Sequence, residues 1–130
     1  MTRVVDASAV VAVLLDGGPA GEWAAEALRG HSLAAPHLMQ VEVTNILRRA
    51  VLGGRVSADV GAQALADLMN LRVLLFPFQG YAARVWQLRS AVTSYDAWYV
   101  ALAERLDAEL VTLDKRLAVA PGVGCRFVTP

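Results

Sequence analysis

Residues 3–15 read RVVDASAVVAVLL. A short apolar run, Arg3 to Val5, stops at a carboxylate, Asp6, and a second apolar run follows at helical length. Val4 and Val5 are β-branched and suit a strand. Ser8 offers a hydroxyl N-cap to a helix over about Ala9–Leu15, which the Asp16-Gly17-Gly18 stretch stops. The same alternation continues outward. Pro19 suits the first turn of a helix that runs to Arg29 and ends at Gly30. Ser32 to Ala35 reads as a strand. After Pro36, the apolar positions Leu38, Val41, Ile46, Leu47 and Ala50 predict a longer helix ending at Gly53-Gly54. Ser57 caps a helix to about Asn70, and Val73-Leu74-Leu75-Phe76 reads as a fully buried strand. Helices follow over about Gly80–Arg89 and, after Thr93 or Ser94 as cap, Tyr95–Leu106. Leu110–Leu113 is a strand, Lys115–Ala118 a helical turn, and Arg126–Val128 a last strand.

Short strands, apolar on both faces and alternating with helices, indicate α/β architecture: a short central parallel sheet of four to five strands surrounded by helices. No repeat, low-complexity tract or Pro/Ser-rich linker divides the chain, so residues 1–130 are read as a single domain.

Composition narrows the function classes. Twelve Lys+Arg balance twelve Asp+Glu, which excludes a protein that coats nucleic acid by bulk positive charge. Eleven of the twelve basic residues are Arg and one, Lys115, is Lys. Apolar residues make up 56% and charged residues 18%, against about 25% charged in typical domains. That excess predicts a face for self-association, a face for a partner, or both, with Trp23, Leu52, Trp86 and Leu88 as candidate surface. No apolar run is long enough to span a bilayer, and Asp6 interrupts the segment that could pass for a signal peptide. The lone Cys125 makes no internal disulfide and suits a reducing cytoplasm. The expectation is a cytoplasmic protein with no membrane association.

In open α/β sheets, ligands bind beyond the carboxyl ends of the strands. Asp6 ends the first strand and Asp114 follows the strand Leu110–Leu113. Asp96 falls in the first turn of a capped helix, and Glu42 lies inside a helix between Val41 and Val43. Each has an ordinary explanation: a helix cap for Asp6, the helix dipole for Asp96, a turn for Asp114, a solvated face for Glu42. Together, four carboxylates at one strand edge would repel one another unless some are protonated or a cation compensates. All-oxygen ligation selects Mg²⁺ or Mn²⁺ over zinc, and the two histidines, His31 and His37, read as loop residues. The chemistry that suits such a site is metal-assisted phosphodiester hydrolysis.

Neighbouring polar residues fit supporting roles. Asn45 and Arg49 share a helix face with Glu42, so Asn45 could hold the Glu42 carboxylate or a water. Thr112 precedes Asp114 by two and its hydroxyl could orient that carboxylate. Ser8 could do likewise for Asp6, or merely cap. Arg48, Arg49, Lys115 and Arg116 are candidate phosphate contacts, although charge runs are commonly solvated faces. The remaining acids, Glu22, Glu26, Asp59, Asp67 and Glu104 among them, read as solubilising.

VVDASAVVAVLL, VEVTNILRR, SYDAWYVALAE and LVTLDKRL, in that order and spacing, resemble the PIN-domain family, and within it the VapC-type toxins of bacterial VapBC toxin–antitoxin systems. The resemblance spans essentially the whole chain. It implies a PIN-like fold and a Mg²⁺- or Mn²⁺-dependent endoribonuclease with Asp6, Glu42, Asp96 and Asp114 as its acids. Asp6, Asp96 and Asp114 would bind the metal, with Glu42 as a further ligand or as the base that orients water. Asn45 and Thr112 fall on the family's supporting positions. The resemblance also implies an RNA substrate, a homodimer, and a small antitoxin that blocks the site, with a groove between early helices as its seat. A receiver domain would need an acidic pair after the first strand, and a haloacid-dehalogenase-type phosphatase two aspartates flanking one residue. Asp6-Ala7-Ser8 provides neither. The alternative from another class is a non-catalytic PIN module that binds RNA or a protein.

Overall fold

Val4, Val5, Leu110 and Val111 have no exposed surface, and the fold is arranged about them. The computed structural model describes all 130 residues, Met1–Pro130. Five strands, β1 (Thr2–Val5), β2 (Ser32–Pro36), β3 (Leu74–Phe76), β4 (Glu109–Val111) and β5 (Phe127–Val128), form one sheet in the order β3-β2-β1-β4-β5. Every pairing is parallel. Six helices flank it: α1 (Ala7–Leu15), α2 (Pro19–Leu28), α3 (Leu38–Leu52), α4 (Ala58–Asn70), α5 (Ala82–Gln87) and α6 (Ser94–Leu106). The expected α/β class is the observed one. No helix is long and apolar enough to cross a membrane.

The strand order places a topological switch between β1 and β4. From β1 the chain builds β2 and β3 on one side, then returns to build β4 and β5 on the other. Crossover connections diverge there, which opens a crevice at the carboxyl edge. The two central strands are also tied at their opposite end. Arg3 at β1 donates from Nε and Nη2 to Glu109 Oε1 on β4, at 3.1 and 3.0 Å, and from Nη1 to the Ala27 carbonyl at 2.6 Å.

Several boundaries differ from the sequence reading, each for a physical reason. Helix α1 starts at Ala7 rather than Ala9, because Asp6 and not Ser8 is its N-cap. Strand β3 is not fully buried: it is the sheet's edge, and Leu74 is 66% exposed. Helix α5 is shorter than Gly80–Arg89, with a 3₁₀ turn over Gln79–Tyr81 ahead of it. Of the four candidate surface residues, Leu52 and Trp86 are exposed, Trp23 is half-buried and Leu88 belongs to the core. Glu104 is not a solubilising residue. Its carboxylate takes two hydrogen bonds from Arg84, at 2.7 and 2.9 Å, and one from the Gly124 N–H at 2.7 Å. Arg84 also donates to the Gly122 carbonyl at 2.8 Å, so the pair ties α5 and α6 to the irregular segment that leads into β5.

Gly21 permits the close approach of α1 and α2. A Cβ there would run into the Asp16 carbonyl and crowd the Ala12 carbonyl, both backbone atoms that cannot swing aside. Gly21→Ala therefore destabilises the fold by about 2 kcal/mol or more in denaturant unfolding, despite its gain in helix propensity.

The Arg84 hydrogen bonds hold the Glu104 carboxyl below its ordinary value of 4.5. A depressed carboxylate stabilises the fold above the unfolded-state pKa and loses that contribution as pH falls through the folded one. Wild-type stability should thus drop more steeply below about pH 4.5 than that of Glu104→Gln. Equal slopes for the two proteins in acid would remove the pair from the account of stability.

Candidate active site

Asp6 follows β1 directly at the switch and is 8% exposed. Its Oδ1 accepts from the Ser8 hydroxyl at 2.7 Å and from the Ala9 N–H at 3.1 Å, while its Oδ2 accepts from the Thr112 hydroxyl. Both sides of this cradle are themselves held. Ser8 Oγ accepts from the Leu113 N–H at 3.1 Å, and Thr112 Oγ1 from the Asp114 N–H at 3.0 Å. One network thus runs from the end of β1 to the loop after β4.

Asp114 lies in that loop, and its Oδ1 accepts from the N–H groups of Arg116 and Leu117 at 2.9 and 3.3 Å. This is the side-chain-capped turn that Asp favours, and it fixes the carboxylate's direction. Asp96 is in the first turn of α6. Thr93 caps that helix by accepting from the Asp96 N–H at 3.2 Å. Glu42 projects from the middle of α3, half-buried, and its Oε1 accepts from the Tyr99 hydroxyl at 2.6 Å. Tyr99 is 2% exposed, so this hydroxyl meets the carboxylate away from bulk water.

Four carboxylates feel one another here. Burial lifts the Asp6 pKa above the ordinary Asp value, and the Asp114 charge adds to the lift. Hydrogen bonds from Thr112, Ser8 and Ala9 pull it partly back. Burial also raises Glu42, opposed by the Tyr99 hydrogen bond and reinforced by the charges of Asp96 and Asp6. Asp96 is raised first by burial, then by Asp114 and Asp6. Tyr99 is pushed far above its ordinary value by burial and by Glu42, so it stays a hydrogen-bond donor. No arginine or lysine forms an ion pair with any of the four. Beside them opens a concavity of about 620 Å³ lined by Arg89, Thr93, Asp96, Asp114, Arg116 and Leu117.

The donor set is all oxygen, anionic and without a protein counter-charge, which fits a hard divalent cation. In their present positions no three of the carboxylates close on one point as a finished ion cage. Asp6, Asp96 and Asp114 are the candidates to hold an ion, and of the three Asp6 is the one gripped on both carboxylate oxygens.

The other expected residues are distributed unevenly. Thr112 does not donate to the Asp114 carboxylate: its hydroxyl donates to Asp6 and accepts from the Asp114 backbone N–H. Ser8 orients Asp6 and does not cap α1. Asn45 is exposed on α3, and the hydrogen bond to Glu42 comes from Tyr99 instead. Arg48 lines an apolar groove between α3 and α4, away from the concavity, and Arg49 and Lys115 are exposed. Of the four basic candidates, only Arg116 lines the concavity. Tyr99 and Arg89 went unnoticed in the sequence. Tyr99 had one available signal, its position three residues after Asp96 on the same helix face.

Comparisons with known proteins agree on one family. The PIN domain family model matches residues 3–123. Ribonuclease VapC1 of Mycobacterium tuberculosis is 44% identical over 125 residues, 95% of this chain and 94% of that protein. Among solved structures, PAE2754 from Pyrobaculum aerophilum superposes with a TM-score of 0.70 at 27% identity, covering 98% of this chain and 83% of that one. VapBC-5 from Mycobacterium tuberculosis, a member of the VapBC family of toxin–antitoxin systems, gives 0.57 at 25% identity, covering 98% and 96%.

A carboxylate whose pKa is raised by folding destabilises the fold while ionised. Its contribution is fully favourable below the unfolded-state pKa and is lost as pH rises through the folded one. Asp96→Asn should therefore raise the thermal midpoint by a few degrees at neutral pH. The gain should shrink as pH falls toward 3.8, the ordinary Asp value, where wild-type Asp96 protonates anyway. A calorimetric series across that range checks both points.

Proposed function

The chain belongs to the PIN-domain family, and we propose that it is a metal-dependent endoribonuclease, the toxin of a type II toxin–antitoxin pair. One observation carries the reading. Asp6, Glu42 and Asp96, each raised by burial and by neighbouring carboxylates, gather with Asp114 at the switch point, and none of the four is in an ion pair with a cationic side chain. RNA, rather than another phosphodiester, follows from the relatives, which are named ribonucleases.

Asp6, Asp96 and Asp114 are the ligands for Mg²⁺ or Mn²⁺. A bound ion supplies Lewis acidity toward the phosphoryl oxygens and makes water a better acid. The remaining steps belong to this chain. Ser8 and Thr112 hold Asp6 in place at the carboxyl edge of β1. Glu42 takes the proton of the attacking water, and its raised affinity for protons suits that role. Tyr99 fixes the Glu42 carboxylate by donating to one oxygen, leaving the other for water. Arg116 meets a phosphate beside the scissile bond.

The antitoxin seat is the groove between α3 and α4. Its volume is about 280 Å³, it is walled by Leu47, Val51, Leu52 and Leu65, and Arg48 stands at its side. Gly61 brings the helices together there, since a Cβ would strike Val51. An apolar helix with an acidic flank fits such a groove. The toxin acts as a single domain, residues 1–130, in the cytoplasm and as a homodimer.

With purified protein, RNA should be cut in Mg²⁺ or Mn²⁺ and left intact in EDTA. Asp6→Asn and Asp96→Asn should lose at least about a hundredfold in rate, and Tyr99→Phe about tenfold. Adding Mn²⁺ should raise the thermal midpoint of wild type and leave that of Asp96→Asn nearly unmoved. Cleavage that survives EDTA would falsify the metal site, and RNA binding without any cutting would favour a non-catalytic binding module.

A further inference from the structure

Trp86 lies on α5 with 67% of its surface exposed. The Arg89 guanidinium sits over its ring, Cζ 4.6 Å from the centroid, and Arg89 Nη1 donates to the Trp86 carbonyl at 2.8 Å. That hydrogen bond holds the cation in place on the ring. The same Arg89 lines the concavity beside Asp96 and Asp114, together with Ser90, Thr93 and Arg116. Neither Arg89 nor Arg116 is neutralised by an ion pair.

A protein-docking face is a contiguous apolar patch. The Trp86 ring instead carries a guanidinium, and its exposed neighbours along α5, Ala82, Ala83 and Gln87, include no large apolar side chain. An exposed ring covered by a flat cation that itself lines a cleft with a second free arginine has the form of a nucleotide platform. Bases stack on aromatic rings and on guanidinium planes, and phosphates take the arginine donors. Only an unpaired base can offer its face to such a platform, because in a duplex both faces are stacked.

We propose that Trp86 and Arg89 form a subsite for one unpaired nucleotide of a single-stranded RNA, flanking the scissile phosphate. The base stacks on the Trp86–Arg89 pair, and the adjoining phosphates meet Arg89 and Arg116 as the strand enters the carboxylate crevice. The subsite rests on the ribonuclease reading and deepens it by naming the residues that receive one unpaired base beside the site.

The test measures binding of a short fluorescein-labelled single-stranded RNA of mixed sequence, and of the same RNA annealed to its complement. It is done on an Asp96→Asn background so that the probe is not cut. Trp86→Ala should weaken single-strand binding about tenfold, Trp86→Phe should restore most of it, and duplex binding should change little. Arg89→Gln should lower the slope of log affinity against log salt by about 0.7 for the single strand. In the otherwise wild-type protein with Mn²⁺, Trp86→Ala should reduce kcat/KM for the single strand by a similar factor.

Unchanged single-strand binding by folded Trp86→Ala overturns the subsite, as does equal weakening of single strand and duplex. Loss of a homodimer in Trp86→Ala with RNA binding intact assigns the ring to a second copy and also overturns it. In each of these cases wild type still cuts RNA and the ribonuclease reading stands. If wild type neither binds nor cuts RNA, that reading fails and the subsite fails with it.

Discussion

A carboxylate buried at the seam of a parallel sheet needs donors, and meeting that need organises the molecule. Asp6 sits where β1 and β4 part, almost out of water, and an isolated charge there would be costly. The chain surrounds it with a hydroxyl from Ser8, an N–H from Ala9 and a hydroxyl from Thr112. The Ala9 bond starts α1 and the Thr112 bond closes the sheet's central seam. Thr112 then receives the Asp114 N–H and so places the next carboxylate. At the far end of the same two strands, Arg3 and Glu109 make the matching link. The seam is therefore pinned at both ends, polar at the edges and apolar between.

The site is under electrostatic tension that the protein itself does not relieve. Hydrogen bonds soften the charge of Asp6 and Glu42, but nothing among the side chains cancels it. The counter-charges stand at a distance, on Arg89 and Arg116 at the rim of the concavity. A concavity lined by both carboxylates and free arginines treats an ion and a polyanion differently. Its carboxylates favour cations and its arginines favour anionic groups.

Much of this was legible in the sequence, and the exceptions share a cause. The strand-helix alternation and the carboxylates at strand ends are local features, carried by residues close together in the chain, so periodicity and capping rules find them. The misread contacts are long-range or depend on which of two neighbours wins a hydrogen bond. Thr112 serves Asp6, 106 positions away, while spacing pointed to Asp114. Tyr99 reaches Glu42 across 57 positions, and a tyrosine in a run of core residues reads as core. Glu104 looks like any acid on a helix until Arg84 and the Gly124 N–H are set against it. The short apolar run of β3 has the composition of a central strand, and only the order of the sheet shows that it lies at the edge.

The separation between Asp6 and Thr112 also sets an order of events. The residue that founds the carboxylate cradle precedes its decisive partner by 106 positions, so synthesis delivers it well before that partner. Local helices form in microseconds, whereas a pairing across so much chain must wait for both ends and for the entropy of closing the loop to be met. Until Thr112 has emerged, the Asp6 carboxylate lacks one of the donors that hold it in the folded chain.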